Sequence, residues 1–544
     1  MSIRPRPSVL LLTGALLLGS SALDASDRPV GLTEVLPPEL AAETEIVVRI
    51  DNPEWLVTKT DAMIGSVGGR IAFLRTLIAE GLFHSGRLAG IDLGRPALLA
   101  YRGGDAPLMA IIPVRDRRAF LKSFGKARLL DNQMVRVNEL NGTIVYSQNT
   151  MQGLWEYRLL VRDRYACLAR TVEECQLLSQ VELEVRDPAV PLAFISRGPT
   201  ILRVFAGRFG TLKRLAIEAG LFTHPLQNIL LDHWCANIDQ IESVSGRILL
   251  AEDDVALPQI YIRGRAETPL AFWIGRQHNR ASRLLPVVTR RDDLVNLHGS
   301  IQWQGELEDF GRRLLERIAA ELPPTPEEAE PVLDAEREGA IRSYFALLDR
   351  RGAFAAAWEM HDGASGQPLL VSRMACEQQL PHDFLRGQRA LDQLFAALSQ
   401  HQVGNLGTLG GKVSYRRPVS ETEGAEVLKV AHERHLVAAL AAQAAAANVA
   451  ATTMGTILEE DRSPHGAPGI AVLRLQLDAI LARLDAMRAG TARSGGLDLD
   501  VAARMVSGQD LLIESRLPLE KINELLRSTT FAVDQAPAED GERR

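Results

Sequence analysis

Two short segments carry the residue types that bind phosphate or zinc, and each fails on spacing. Gly404-Asn405-Leu406-Gly407-Thr408-Leu409-Gly410-Gly411-Lys412 has the glycines and the lysine of a phosphate-cradling loop. Such a loop needs Gly where Leu406 stands and Ser or Thr where Val413 stands, and it must lead from a strand into a helix N-terminus. Here a helical pattern precedes and a strand pattern follows, so a turn is expected. His432-Glu433-Arg434-His435 has the ligands and acid of a zinc-peptidase helix, but its second His arrives one residue too early to share a helical face with the first. In His233-Trp234-Cys235 the ligands are two apart, a spacing that a helix turns away from a common point. Asp253-Asp254, Asp292-Asp293 and Glu459-Glu460 are adjacent carboxylates, which rarely converge on one substrate. There is no Gly-x-Ser-x-Gly elbow. No catalytic residue, metal ligand set or cofactor site is expected.

Two constellations survive this test. Arg49, Arg203 and Arg474 each occupy the centre of a β-branched or leucine-rich run: Val47-Val48-Arg49-Ile50, Ile201-Leu202-Arg203-Val204 and Val472-Leu473-Arg474-Leu475. Projecting from one strand face, they would line a groove for anions; the competing reading is the solvent face of three related strands. Cys167 and Cys175, one ending a strand and the other inside the following helix, are spaced to pair. The alternative is two buried thiols acting as small hydrophobes.

The elements that would position these residues repeat. Each arginine strand opens a stretch in which a helical pattern and then a β-hairpin follow, and Trp55–Met63 (WLVTKTDAM) is answered by Ala479–Met487 (AILARLDAM). Asn141-Gly142 and Gly103-Gly104-Asp105 mark hairpin turns. Asp24–Ala42 is expected to be irregular, Arg117–Phe124 a helix, and Met134–Val137 with Ile144–Ser147 and Glu156–Val161 with Tyr165–Ala169 two pairs of strands. In Leu497–Val501 apolar and acidic residues alternate, as on a half-buried sheet. The expected fold is α+β: duplicated strand–helix–hairpin–helix modules forming antiparallel sheets covered on one side by helices. The expected division is a first module at 43–185, a second at 197–322, a Pro-rich linker at 323–334 and a third region at 335–530. In that region Leu436–Met454, rich in alanine and almost uncharged, is expected to be a buried helix. Residues 531–544 are expected to be a disordered tail.

The chain has 544 residues, 46% hydrophobic and 24% charged, with a formal charge of −7 spread over mixed-sign segments. That composition supports globular domains and offers no basic footprint for nucleic acid. At the N-terminus, Arg4 and Arg6, the apolar run Val9–Leu18 and Ser20-Ser21-Ala22 have the order of a secretory signal peptide, expected to occupy 1–22. The alternative is an uncleaved anchor. With the signal removed, an exported, periplasmic or extracellular protein without a stable membrane span is expected.

The chain resembles exported bacterial proteins of the domain-of-unknown-function class. The resemblance rests on the signal segment, the Ile46-Val47-Val48-Arg49-Ile50-Asp51 opening, Gly90–Ala97, Ile111–Asp116 leading into a helix, and Leu517–Lys521 near the end. It implies no catalytic residues. The expected function is non-enzymatic binding of a cell-envelope protein or polymer. The alternatives are a carrier of a hydrophobic small molecule, or an enzyme of an unrecognised class.

Overall fold

The computed structural model of the chain describes residues 35–65, 89–200, 238–281, 294–321, 333–442, 453, 468–476 and 498–520, with breaks of up to six residues inside those ranges. The signal segment, Arg203, Cys235, the helical echo at 479–487, residues 323–332 of the linker and the tail lie outside them. Helices and large antiparallel sheets make an α+β protein. Its contacts divide the chain into two compact units: Met1–Arg214 with Ile238–Arg265 and Ile513–Arg544, and Leu215–Asn237 with Ala266–Leu512. This is not the expected run of consecutive modules. Strands placed in the second module belong with the first, because they extend the same sheet.

In the first unit, α1 (Pro38–Glu43) precedes β1 (Ile46–Ile50) and α2 (Pro53–Gly65). After β2 (Ala97–Tyr101), β3 (Leu108–Pro113) and α3 (Arg117–Phe124) come the short β4 (Arg128–Leu129) and a meander. The meander is β5 (Asn132–Leu140), β6 (Thr143–Thr150), β7 (Gly153–Val161) and β8 (Tyr165–Ala169), closed by α4 (Val172–Leu178). β9 (Leu192–Arg197), β10 (Ile241–Ala251) and β11 (Val255–Gly264) complete it. All pairings are antiparallel, in the order β11-β10-β9-β1-β2-β3-β8-β7-β6-β5, with β4 on the far side of β5.

Local chemistry starts the helices. The Asn52 side chain accepts from the N–H of Trp55, and Asp116 Oδ1 accepts from Arg118 and Ala119 at 2.9 and 3.0 Å. Thr171 and Glu174 form a reciprocal capping box on α4. Each side chain satisfies N–H groups that the first helical turn leaves without partners. Gly142, at φ 74°, completes the β5–β6 turn between Leu140 and Thr143, a conformation costly for other residues.

Helices cover both faces of the middle strands, not one. Val47, Leu98, Met109, Ile111, Leu160, Cys167, Cys175 and Leu178 form one buried cluster; Ala110, Phe120, Phe124, Tyr146, Tyr157, Leu159, Ala166 and Leu168 form another. Consecutive residues of β3 and β8 enter different clusters, as alternate side chains of a strand must. α4 packs on one face and α3 on the other. The expected single cover fails because β8, Tyr-Ala-Cys-Leu-Ala, is apolar on both faces.

The second unit opens with α5 (Pro269–Arg276), β12 (Arg280–Ala281) and β13 (Val295–Gly299). Next come α6 (Glu306–Glu321), α7 (Ala335–Asp349), β14 (Phe354–Asp362), β15 (Pro368–Cys376) and α8 (His382–Leu398). β16 (Gly407–Leu409), β17 (Lys412–Pro418), β18 (Ala425–His432) and β19 (His435–Ala442) follow. β20 (Pro468–Gly469) pairs with β12, and β21 (Ala471–Gln476) and β22 (Asp498–Ser507) extend the main sheet, ordered β22-β21-β13-β14-β15-β19-β18-β17-β16. The division between units falls inside the last strand, β23 (Asp510–Pro518). α6, α7 and α8 share a core of Phe310, Leu314, Ile341, Phe345, Leu391 and Leu394.

The largest departure from the sequence reading is the alanine-rich stretch. Leu436–Ala442, most of its described part, lies in strand β19 and not in a helix; of the remainder only Thr453, a helical residue, is described. Ala439 sits opposite Val371 on one side and Leu428 on the other. Pairing on both edges satisfies the backbone from His435 to Leu440, and the small Ala439 accommodates its larger neighbours. That tertiary gain outweighs a helix preference worth a few tenths of a kcal/mol per residue. Pro38–Glu43, expected to be irregular, is a helix started by proline at its first position.

Candidate functional site

The arginine groove does not form. Arg49 is 7% exposed; its Nε donates to Asp51 Oδ1 at 2.8 Å and its Nη2 to the Glu184 carbonyl. Arg474 is exposed on β21, in register with Asp500 and Asn296. Arg49 is thus held by its own loop contacts and is not available to an anion, whereas Arg474 is exposed, so equal positions in similar strand sequences differ in burial. Arg203 lies outside the described residues.

The disulfide is also absent. Cys167 and Cys175 are buried free thiols, and Cys175 Sγ lies 3.2 Å from the Arg158 carbonyl and 3.5 Å from that of Cys167. Burial pushes both thiols up to about 12, which leaves them protonated and unreactive at neutral pH. They serve as small packing groups in the α4 cluster.

The two motifs weighed for phosphate and zinc resolve into hairpins. Gly407 pairs with Ser414 and Leu409 with Lys412, which makes the glycine-rich segment the tip of β16–β17. His432 pairs with His435 at the end of β18–β19. Among the described residues no three His, Cys, Asp or Glu side chains gather where they could hold a metal ion.

Buried charge is committed to structure. Arg102, 3% exposed, meets Glu174 through Nη1 at 2.5 Å and Nη2 at 3.1 Å. Arg373, 2% exposed, meets Glu359 at 2.7 Å. Asp392 of α8 accepts from Tyr415 Oη at 2.7 Å and Lys429 Nζ at 2.8 Å, tying the helix to β17 and β18. A buried charge left without its partner is strongly destabilising, so each pair fixes the packing of the elements that supply it. Their members lie 14 to 72 residues apart, so no local spacing announces these pairs.

Among the described residues four large apolar side chains are exposed, Phe272 on α5 and three grouped on the β5–β7 arm. Ile144, Tyr146, Trp155 and Tyr157 pack inward on one face. The other face carries Val135 and Leu154, 54% and 66% exposed, on either side of Ser147 and Asn149. Val137, also 54% exposed, is the extra residue of a β-bulge between Arg136 and Asn138. Beyond Gln133 no described strand pairs with the outer edge of β5.

No family model and no curated protein matches the chain. Among solved structures it aligns with the substrate-free duplicated taurocyamine kinase from Schistosoma mansoni, at 10% identity over 94% of this chain and 86% of that one, with a TM-score of 0.09. An alignment at that score transfers neither fold nor activity. The arm is therefore the candidate site on its geometry alone. Exposed apolar side chains on an open strand suit recognition of a partner, by strand addition along the edge and by burial of Val135 and Leu154 across the face. The bulge and the Arg136–Glu139 ion pair, at 3.4 Å, are devices that keep an open edge from joining copies of itself indiscriminately.

Proposed function

We propose that this is a non-enzymatic exported protein of the periplasm, which binds a cell-envelope protein or polymer through the β5–β7 arm. The single observation behind this reading is the exposure of Val135, Val137 and Leu154 on an arm that packs Ile144, Tyr146, Trp155 and Tyr157 inward. An extended protein segment suits the outer edge of β5, because it supplies the backbone hydrogen bonds that the edge lacks and buries the valines. Duplication of a strand–helix–hairpin–helix module belongs to the same reading. Its support is the sequence likeness of Val47-Val48-Arg49-Ile50 in β1 and Val472-Leu473-Arg474-Leu475 in β21.

The test is photo-crosslinking in cells from a reactive residue placed at position 135 or 154, with position 312 on the exposed side of α6 as control. One partner captured from the arm and not from the control, and lost in a V135K/L154K chain, supports the reading. Equal capture from arm and control, or turnover of a substrate by the purified chain, overturns it.

A further inference from the structure

Five consecutive exposed residues of β5, Val135-Arg136-Val137-Asn138-Glu139, have an order that complements itself when reversed. The outer edge of this strand is covered at Asn132 and Gln133 by β4, and it ends at Leu140 where the Asn141-Gly142 turn begins. The middle of the open stretch therefore falls beside Val137 and Asn138. In a regular strand Arg136 and Glu139, three apart, would lie on opposite faces. The bulge at Val137 cancels that alternation: Arg136 is in register with Tyr146 and Glu139 with Ile144, and both of those pack inward on one face. An antiparallel copy, related by a two-fold axis between Val137 and Asn138, would set each Arg136 opposite Glu139 of the copy on matching faces. It would also cover each Val137, 54% exposed, with Asn138 of the copy. A pairing centred on Arg136 would oppose two guanidinium groups, and one centred on Glu139 two carboxylates; like charges directly opposite each other are unfavourable. The charges that reject those registers thus select this one. Both side chains can respond, being 53% and 60% exposed and only 3.4 Å apart at their nearest within the chain.

We infer that β5 pairs edge to edge with β5 of a second copy of this chain, which continues the sheet of the first unit across a two-fold axis. The copy takes the edge that a segment of an envelope partner would use, so the two compete for one strand. The inference shares the arm with the proposed function and stands without it. Sedimentation equilibrium of the full chain should show a reversible monomer–dimer equilibrium. R136E and E139R each turn both attractive contacts across the axis into repulsive ones, and each should weaken the dimer by about tenfold or more. An equimolar mixture of R136E and E139R restores opposite charges at every such contact, and its affinity should return to within about threefold of wild type. R312E, a charge reversal on exposed α6, should leave the dimer unchanged. A monomeric wild-type chain, a dimer indifferent to R136E, or a mixture no tighter than its components would overturn the pairing. Capture of an envelope partner from position 154 by a chain that stays monomeric would overturn this inference alone. A dimer that follows the charge swap, with no partner captured, would support it and overturn the partner reading.

Discussion

Glu174 starts its own helix and neutralises Arg102 with one carboxylate. Oε2 accepts from the backbone N–H groups of Arg170 and Thr171 at 2.9 and 3.1 Å and from Arg102 Nη2 at 3.1 Å. The α4 cap and the seating of β2 are thus a single interaction. E174A should destabilise the first unit by about 3 kcal/mol, since it leaves the buried Arg102 guanidinium only the exposed Glu43 carboxylate, 3.5 Å away, as well as opening the cap. E174Q, which keeps the cap geometry, should cost less. Chemical denaturation of both variants is the check; a cost for E174A below that of an ordinary lost cap would show that Arg102 finds water instead.

The same carboxylate gives a pH dependence. Burial alone would raise the Glu174 pKa, but hydrogen bonding and charge from Arg102, with the two backbone donors, hold it below its usual 4.5. A depressed folded-state pKa contributes stability that is complete above the unfolded value and is lost as pH falls through the folded one. Stability of the wild-type chain should therefore decline below about pH 4.5 more steeply than that of E174Q. Parallel acid titrations of the thermal midpoint measure the difference.

Alkylation should spare both thiols of the first unit. With their pKa pushed up to about 12 and their sulfurs buried, Cys167 and Cys175 should stay unmodified by iodoacetamide at pH 8 in the folded chain and react fully in denaturant. Peptide mass mapping reads this directly. A 167–175 cross-linked peptide from freshly purified protein would contradict the free thiols.

Close helix packing in the second unit depends on Gly387. A Cβ there would overlap the Ala340 carbonyl oxygen and the Tyr344 Cβ, both in α7. G387A should cost about 1–3 kcal/mol, despite the better helix propensity of alanine. Exposed Gly339, with nothing near its Cβ position, is the control: G339A should be neutral or stabilising.

The identity of β19 can be tested with one β-branched residue. Ala438 is half-buried and pairs with Ser372 and Lys429. A438T should leave the thermal midpoint unchanged or slightly raised, as expected of a strand, where a helix would be weakened.

The elements legible in the sequence were those whose cause is local. Asp116 and Thr171 mark helix starts within three residues of the bonds they make, and Asn141-Gly142 carries its own turn chemistry. The expected 117–124 helix and the pairs of strands around 134–169 appear for that reason. What escaped depends on distant neighbours. Nothing in Leu436–Ala442 announces that Val371 and Leu428 will flank it, and Arg49 differs from Arg474 only in what lies over its strand. The exposed arm was foreseen as strands but not as a surface, since Val135 reads as a core residue until β6 and β7 set the face.

The first compact unit draws on the chain from Ile513 onward as well as on its beginning. Synthesis runs from the N-terminus, so this unit cannot finish assembling until residues 513–520 have emerged. Closing a loop of that length is slow compared with neighbouring hairpins. A shortened transcript, even one ending just before residue 513, would strand the earlier half of the molecule in an immature state.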